Sequence, residues 1–326
     1  MVVVTTRPYA PALVRPGRSL LDVDELGAEG ITALLDRTRE LRSADPTTLR
    51  DRLTGSVVVN LFLEPSTRTR VSFEIAARKL GAEVVNISEA GSSVVKGESL
   101  IDTVRTLKAL GADAVVLRCS HAGAPYLLTR HYGGSVVNAG DGLHAHPTQA
   151  LLDVMTIQDH HQHLRGLRVA ILGDVQHSRV ARSTVLALLL LGAQVVLCGP
   201  PTLLPPRGWE AALPSSDRGG SVHTTTIMEA ALAGADVVMA LRMQSERQQA
   251  GLLPDLKEYV RMYGLTHERL DRLAPGALIM HPGPVNEGVE LAPDLVAAPD
   301  SLICEQVANG VWVRAAVLEQ LLGEGL

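Results

Sequence analysis

The stretch "LFLEPSTRTRVSFEIAARKL", residues 61–80, joins a strand-like apolar run to a helix-like segment across one short turn. The turn at 65–70 carries three hydroxyl side chains and two arginines. In open α/β sheets, ligands bind beyond the carboxyl ends of the strands, where the next helix presents its N-terminal N–H groups. A helix cap needs only one hydroxyl. The additional donors therefore predict an anion site at this strand end.

Strand-like and helix-like segments alternate in the same way along the rest of the chain. Short β-branched runs separated by amphipathic segments predict parallel strands joined by right-handed helical crossovers. We expect strands at 56–64, 83–88, 113–119, 134–140, 167–174, 194–200, 236–242 and 276–284, helices at 70–81, 99–111, 146–161, 178–192, 226–234 and 301–323, and a Pro-, Gly- and Ser-rich loop at 199–221.

The helix at 146–161 separates two such series, and Pro147 is suited to its first turn. The simplest architecture is an α/β protein with two doubly wound parallel-sheet domains joined by long helices, and with the active site in the interdomain cleft. The helix at the end of the chain should pack back on the first half. We expect a first domain at 1–148 plus the C-terminal helix 300–326, and a second domain at 149–299.

Length and composition exclude several classes of partner. The chain has 326 residues, enough for about two domains with cores of their own. A net charge of −5 and an aromatic content of 3% argue against nucleic acid. The longest apolar run, 185–199, is interrupted and too short to cross a bilayer. With no signal-peptide pattern and three widely spaced cysteines, we expect a cytoplasmic protein without a membrane partner.

The first half offers further polar groups at predicted strand ends. Arg118 lies at the end of the strand at 113–119 and could reach the same anion, although a solvated loop arginine is the simpler interpretation of that residue alone. His146 and Gln149 lie three residues apart on one face of a helix, and both can polarise a carbonyl oxygen. Lys96 lies among small residues, in either a mobile anion-binding loop or an ordinary surface loop.

The second half carries arginines at two predicted strand ends. Arg179 opens the helix after one strand, and Arg242 and Gln244 follow another, so a ligand with carboxylates is expected. The turn after Gly173 lacks the further glycines of a dinucleotide site. The H-x-H pair His144 and His146 has no carboxylate-histidine set at later strand ends, so we expect neither a metal nor a cofactor.

Seven motifs occur in one order over residues 56–315, and together they resemble the aspartate carbamoyltransferase family of pyrimidine biosynthesis. The S-T-R-T-R and H-P-T-Q pair is typical of carbamoyltransferases, and R-M-Q-S-E-R with H-P-G-P-V-N-E-G-V-E indicates aspartate as the acceptor. The motifs are "FLEPSTRTRVSFE", "SSVVKGES", "LR" at 117–118, "AGDGLHAHPTQALLD", "LGDVQHSR", "LRMQSER" and "MHPGPVNEGVEL".

The resemblance implies a role for each matching residue. Arg68, Thr69, Arg118 and His146 would be catalytic, and Glu64 and Arg247 would brace the substrate arginines through ion pairs. Aspartate would be bound by Lys96, Arg179, Arg242 and Gln244. Carbamoyl phosphate would be bound by Ser66, Thr67, Arg68, Thr69, Ser92, Lys96, Arg118, His146, Gln149, Gly283 and Pro284.

The resemblance also implies a homotrimer in which Ser92 and Lys96 enter the neighbouring subunit's site. A regulatory chain or a dihydroorotase would be further partners. One departure is that the best-studied branch has Leu at the position of Gly283 and Arg at that of Val285. Two alternatives remain: a carbamoyltransferase for another amine such as ornithine, and a scaffold subunit of a pyrimidine multienzyme complex. Arg70 receives no role.

Overall fold

The computed structural model describes residues 19–88, 98–243 and 255–323. Four residues singled out in the sequence lie outside these ranges: Ser92, Lys96, Gln244 and Arg247.

The first half of the described chain is built on a four-stranded parallel sheet with the order β2-β1-β3-β4. Helices lie on both of its faces, which is why its two central strands are almost entirely buried apolar runs. Its strands are β1 (Val57–Phe62), β2 (Glu83–Ser88), β3 (Ala114–Cys119) and β4 (Ser135–Asp141), and its helices are α1 (Gly27–Ser43), α2 (Pro46–Leu49), α3 (Thr67–Lys79), α4 (Leu100–Ala109) and α5 (Ala124–Tyr132).

The second half is built on a five-stranded parallel sheet with the order β7-β6-β5-β8-β9. Its central strand β5 lies between β6 and β8, so the chain reverses its direction of winding there. Its strands are β5 (Arg168–Leu172), β6 (Gln194–Cys198), β7 (Ser221–Thr225), β8 (Val237–Ala240) and β9 (Leu278–Met280), and its helices are α7 (Arg179–Leu190), α8 (Met228–Leu232), α9 (Leu256–Tyr263), α10 (His267–Leu273) and α11 (Pro293–Val296).

Two long helices join the halves: α6 (Pro147–His160) and α12 (Ile303–Leu322). Every residue of α6 from Pro147 to Ile157 is buried. Helix α12 packs against α1, α3 and α6. A continuous apolar cluster therefore runs from the first sheet through these helices to the second sheet, and it includes Val116, Met155, Leu318 and Ile171.

The predicted fold class, two parallel α/β sheets flanked by helices, is confirmed, and so is the packing of the last helix on the first half. Several predicted elements are shorter than expected: the segment at 226–234 is helical only over α8, and that at 276–284 is a strand only over β9. Pro282 and Pro284 lack a backbone N–H for a strand ladder, which accounts for the second difference. Elements without a predicted counterpart are α1, α2, α5, α9, α10, α11, β7 and two short 3₁₀ helices, Pro201–Leu203 and Trp209–Ala212, within the predicted loop. No helix within the described ranges is long and apolar enough to cross a membrane.

Candidate active site

A cleft of about 1200 Å³ opens between the carboxyl ends of the two sheets. The turns after β1, β3 and β4 form one side of it, and those after β5, β8 and β9 form the other. This placement follows from parallel winding, because all strands of each sheet end at one edge. The sequence-predicted residues on its wall are Glu64, Ser66, Thr67, Arg68, Thr69, Arg118, His146, Gln149, Arg179, Arg242, Gly283 and Pro284.

The turn between β1 and α3 presents hydroxyl groups that do not cap the helix. Ser66 occupies the N-cap position with extended backbone, yet its side chain accepts no hydrogen bond from the first turn. In α7, by contrast, Ser178 at the N-cap accepts a hydrogen bond from the N–H of Ala181 at 3.1 Å. The helix terminus with its positive dipole end therefore faces the cleft together with the Ser66 hydroxyl.

Arg68 lies against the loop that follows β9. Gly283 has a φ of +64°, and a Cβ atom there would lie 3.2 Å from the Arg68 Cζ. The Gly283–Pro284 peptide bond is cis. The lack of a side chain at position 283 thus lets the backbone of the second half approach the guanidinium of the first.

Glu64 joins the arginines of the two halves. Its Oε1 accepts hydrogen bonds from Arg118 Nη2 at 3.0 Å and from Arg179 Nη2 at 2.7 Å, and its Oε2 accepts one from Arg179 Nη1 at 3.0 Å. Arg179 also donates from Nη1 to the Gly142 carbonyl at 3.1 Å. The ion pairs predicted for Glu64 are confirmed, and the bidentate one crosses the cleft.

His146 is held in the cleft wall as a neutral imidazole. It precedes the first residue of α6, and its backbone N–H donates to Ser183 Oγ at 3.0 Å. Burial, followed by the charges of Arg118, Arg179 and Arg314, holds its pKa well below the ordinary value. Within the described ranges the buried Nδ1 has no hydrogen-bond partner. A neutral ring that keeps one N–H can polarise a ligand oxygen without adding charge.

The remaining histidine of the H-x-H pair faces a different partner. His144 Nδ1 lies 3.2 Å from Asp141 Oδ2, and this contact raises the pKa of His144. The described part of the chain places no three His, Cys, Asp or Glu side chains together as metal ligands. The polar groups that line the cleft are arginines, hydroxyls, amides, the imidazoles of His146 and His281, and the carboxylate of Glu64.

The structure adds Arg314 and Ser72 to the cleft wall, and neither was predicted from the sequence. Arg314 Nη1 donates to Ser72 Oγ at 2.7 Å, and its guanidinium lies over the Phe73 ring, 5.2 Å from the centroid. Burial lowers the Arg314 pKa to about 10. The sequence does contain a signal for Arg314, because an arginine inside the apolar run of α12 requires a buried polar partner.

Gln306 and His281 also line the cleft and were not assigned to it. The His281 backbone N–H donates to Gln306 Oε1 at 3.0 Å, so α12 holds the loop after β9. In both segments the residues recognised as functional are other side chains. The spacing of apolar residues alone does not distinguish Gln306 and His281 from core positions.

Two family models match consecutive parts of the chain. The aspartate/ornithine carbamoyltransferase carbamoyl-P binding domain matches residues 18–159, and the aspartate/ornithine carbamoyltransferase Asp/Orn binding domain matches residues 165–321. Together the matches extend over nearly the whole chain and take in both sides of the cleft.

Individual relatives and solved structures are similar over equally long spans. The aspartate carbamoyltransferase catalytic subunit of Chloroflexus aggregans is 52% identical over 309 residues, 94% of this chain and 98% of the relative. Aspartate transcarbamoylase from Trypanosoma cruzi, in complex with carbamoyl aspartate and phosphate, superposes with a TM-score of 0.85 at 29% identity, over 96% of this chain and 98% of that one. Ornithine carbamoyltransferase from Pyrococcus furiosus gives a TM-score of 0.84 at 27% identity, over 95% and 99%.

Proposed function

The chain belongs to the aspartate/ornithine carbamoyltransferase family, and we propose that its cleft binds carbamoyl phosphate and L-aspartate together. The enzyme is a transferase that moves the carbamoyl group of carbamoyl phosphate to the α-amino group of L-aspartate, giving N-carbamoyl-L-aspartate and phosphate. Similarity of fold does not separate aspartate from ornithine as the acceptor, because both kinds of structure superpose equally well. The 52% identity to a named aspartate carbamoyltransferase separates them.

In this proposal the phosphate binds at the N-terminus of α3. Ser66, Thr67 and Thr69 supply hydroxyl donors, and Arg68 and Arg118 supply positive charge. Binding would take Arg118 from its ion pair with Glu64, which connects phosphate binding to the second half through Arg179. Lys96 and Ser92 would complete the phosphate site from a neighbouring subunit.

The carbamoyl group would lie against the first turn of α6. Thr69, Arg118 and His146 would donate to its oxygen, and Gln149 with the backbone at Gly283 and Pro284 would surround its nitrogen. Negative charge develops on that oxygen when the amine attacks, and removing one such fixed donor costs about 3 kcal/mol in other enzymes. The low pKa of His146 suits this role, because a neutral imidazole donates without being deprotonated by the leaving phosphate.

Aspartate would bind on the side of the cleft formed by the second half. Arg179 and Arg242 line this side and can each hold a carboxylate, and Gln244 and Lys96 would add donors. The amine nitrogen forms the new bond to the carbamoyl carbon, the bond from that carbon to the phosphate oxygen breaks, and the departing phosphate can take the amine proton. The residues of this chain hold the two substrates in line and stabilise charge.

We further propose a homotrimeric cytoplasmic enzyme of pyrimidine biosynthesis. Residues 1–148 with 300–326 would form the carbamoyl-phosphate domain, and residues 149–299 the aspartate domain. Separate regulatory chains or a dihydroorotase are the partner classes to test by native mass measurement.

One observation carries the proposal: the turn after β1, the start of α6 and the arginines Arg179 and Arg242 all line a single cleft. The test is an assay of carbamoyl-aspartate formation, with L-ornithine as the competing acceptor. We expect turnover with aspartate and little with ornithine. Turnover that favours ornithine would overturn the choice of acceptor.

Arg68→Ala tests the phosphate site. Arg68 is exposed, so the fold should be retained, while kcat/KM for carbamoyl phosphate should fall about 100-fold or more because a charged donor is lost. The matched control is Arg78→Ala, which removes an arginine of the same helix that pairs with Glu74. Unchanged activity in Arg68→Ala would contradict the assignment of the phosphate to the α3 terminus.

A further inference from the structure

Asp153 is a fully buried carboxylate that the steps above do not use. It lies in α6, where helices α7 and α12 meet it. Its Oδ1 accepts hydrogen bonds from Gln149 Nε2 at 2.9 Å and from Gln306 Nε2 at 2.8 Å, and its Oδ2 accepts one from Thr184 Oγ1 at 3.0 Å. Three elements thus direct donors at one side chain.

The amide of Gln306 is fixed at both ends. Its Oε1 accepts from the His281 backbone N–H at 3.0 Å, and a backbone N–H can only donate. Its Nε2 must therefore face Asp153. The carboxylate is consequently anchored on a side chain whose orientation does not depend on Gln149.

Asp153 in turn decides which end of the Gln149 amide faces the cleft. An Oδ1 with two amide donors acts as an acceptor, so the atom of Gln149 that points to it must be Nε2. Gln149 lines the cleft, and its remaining amide atom, Oε1, is the end that the wall can present to a ligand. A carbonyl oxygen at that place accepts an N–H and offers nothing to a methyl group.

We propose that Asp153 is a positioning residue that makes the cleft select a carbamoyl phosphate over an acetyl phosphate, by locking the Gln149 amide with its oxygen toward the ligand. The inference rests on the proposed function, since it assumes that the acyl group lies against Gln149. The two acyl phosphates share a phosphate and a carbonyl, and they differ in an amino group against a methyl. Sites built to hydrogen-bond a ligand N–H reject analogues that lack it, because their own polar groups are then left unpaired.

Asp153 should hold the Gln149 amide in this orientation even without a negative charge. Burial raises the Asp153 pKa to about 7, against the opposing effect of its hydrogen bonds and of Arg314. A proton on Oδ2 leaves Oδ1 as an acceptor for both glutamines, and the Thr184 hydroxyl can rotate to accept it. Asn at position 153 reproduces this arrangement, with its oxygen toward the glutamines and its amino group toward Thr184.

The experiment compares Asp153→Ala with Asp153→Asn and Thr184→Val. For each purified full-length variant, the KM for carbamoyl phosphate and the inhibition constant of acetyl phosphate are measured. The selectivity is the inhibition constant of acetyl phosphate divided by the KM for carbamoyl phosphate. We expect Asp153→Ala to lower the selectivity about 10-fold, because the Gln149 amide can then turn either end to the ligand. Asp153→Asn and Thr184→Val should keep it within about threefold, because both retain an acceptor oxygen for Gln149.

Two results would overturn the proposal. One is a folded Asp153→Ala variant that loses affinity for both acyl phosphates equally, since that is the behaviour of a residue that only supports the structure. The other is a collapse of selectivity in Asp153→Asn, which keeps the acceptor. Where Asp153→Ala does not fold, Asp153→Leu fills the same space and carries the same expectation. A parent protein that forms no carbamoyl-aspartate would instead refute the proposed function, and equilibrium binding of the two acyl phosphates would still test the lock.

Discussion

Asp22 lies where the N-terminal segment meets α7, and it forms a link between the two halves. Its Oδ1 accepts from the Val23 N–H at 2.8 Å and from Ser183 Oγ at 3.2 Å, and Ser183 also accepts from the backbone of His146. Burial raises the Asp22 pKa to about 6; the charge of Asp24 adds to the rise, whereas the Val23 and Ser183 hydrogen bonds and His144 oppose it.

The raised pKa of Asp22 predicts a pH-dependent stability difference in Asp22→Asn. A carboxyl with a higher pKa in the folded state stabilises the fold below its ordinary pKa of 3.8, and this contribution is lost as pH rises through about 6. Asn carries no charge and still accepts through Oδ1. We expect the free energy of unfolding of the variant, measured in urea, to exceed that of the parent by about 1–3 kcal/mol at pH 8 and by less at pH 5. Asp36→Asn, an exposed control on α1, should show no such pH-dependent difference. If Asp22→Asn raised the free energy of unfolding equally at both pH values, the raised pKa of Asp22 would not be the cause.

Single residues of the site could be predicted to different extents from sequence. Ser66, Thr67, Arg68 and Thr69 are consecutive, so a surplus of anion-binding groups is visible in one short stretch. The cluster around Asp153 draws on residues 149, 184 and 306, which are separated in sequence and meet only because α6, α7 and α12 pack together. No local pattern marks such a cluster, since each member alone has the character of one polar residue in an apolar helix.

At the level of elements, the end of β4 controls the position of Arg179. Gly140 has a φ of +118°, and a Cβ atom there would lie 2.8 Å from both Cζ and Nε of Arg179. Arg179 is buried and tied to Glu64 and to the Gly142 carbonyl, so it has little room to give way. The strand therefore needs glycine at this point to leave space for a guanidinium that comes from the other half.

Gly140→Ala should weaken the binding of aspartate. The added methyl group must displace Arg179, so the KM for aspartate should rise about 10-fold or more, because a charge-assisted contact is misplaced. The matched control is Gly111→Ala, at φ +93° with nothing within 4 Å of its added Cβ, which also places alanine at a positive φ outside the left-handed helical region but touches no arginine. The KM for each substrate is measured by steady-state kinetics in both variants. A rise confined to the KM for carbamoyl phosphate would contradict the role of Arg179 in binding aspartate.

The buried strands were predictable from their apolar runs, whereas the edge strand β7 and the short helices α9 and α10 were not. The strands β1, β3, β5 and β6 are buried apolar runs, and each lies within a predicted strand. The exposed edge strand β7 has no fully buried residue, so its sequence lacks the apolar run used to find the others. The short helices α9 and α10 flank the second sheet and are specified by their caps, Asp255 and Thr266, more than by apolar length.

At the scale of the whole molecule, the two halves are held by contacts that substrates would compete for. Glu64 binds arginines of both halves in the described cleft, and the proposed phosphate and carboxylate ligands would bind the same arginines. Helices α6 and α12, by contrast, join the halves through buried apolar packing that no ligand displaces. The molecule thus combines a permanent apolar connection with a polar one that depends on what occupies the cleft.

The proposed trimer with shared sites makes a prediction that a single subunit cannot satisfy. If Lys96 of one subunit completes the site containing His146 of its neighbour, Lys96→Ala and His146→Ala trimers are each inactive, but a mixed trimer contains intact sites. Random reassembly of equal amounts should restore about a quarter of the parent activity, because each site then has one chance in four of drawing both intact residues. The mixture is dissociated, reassembled and assayed, with each variant treated alone as the control. Native mass before and after confirms the trimer, and activity no higher than in the separate variants would show that each subunit holds its own complete site.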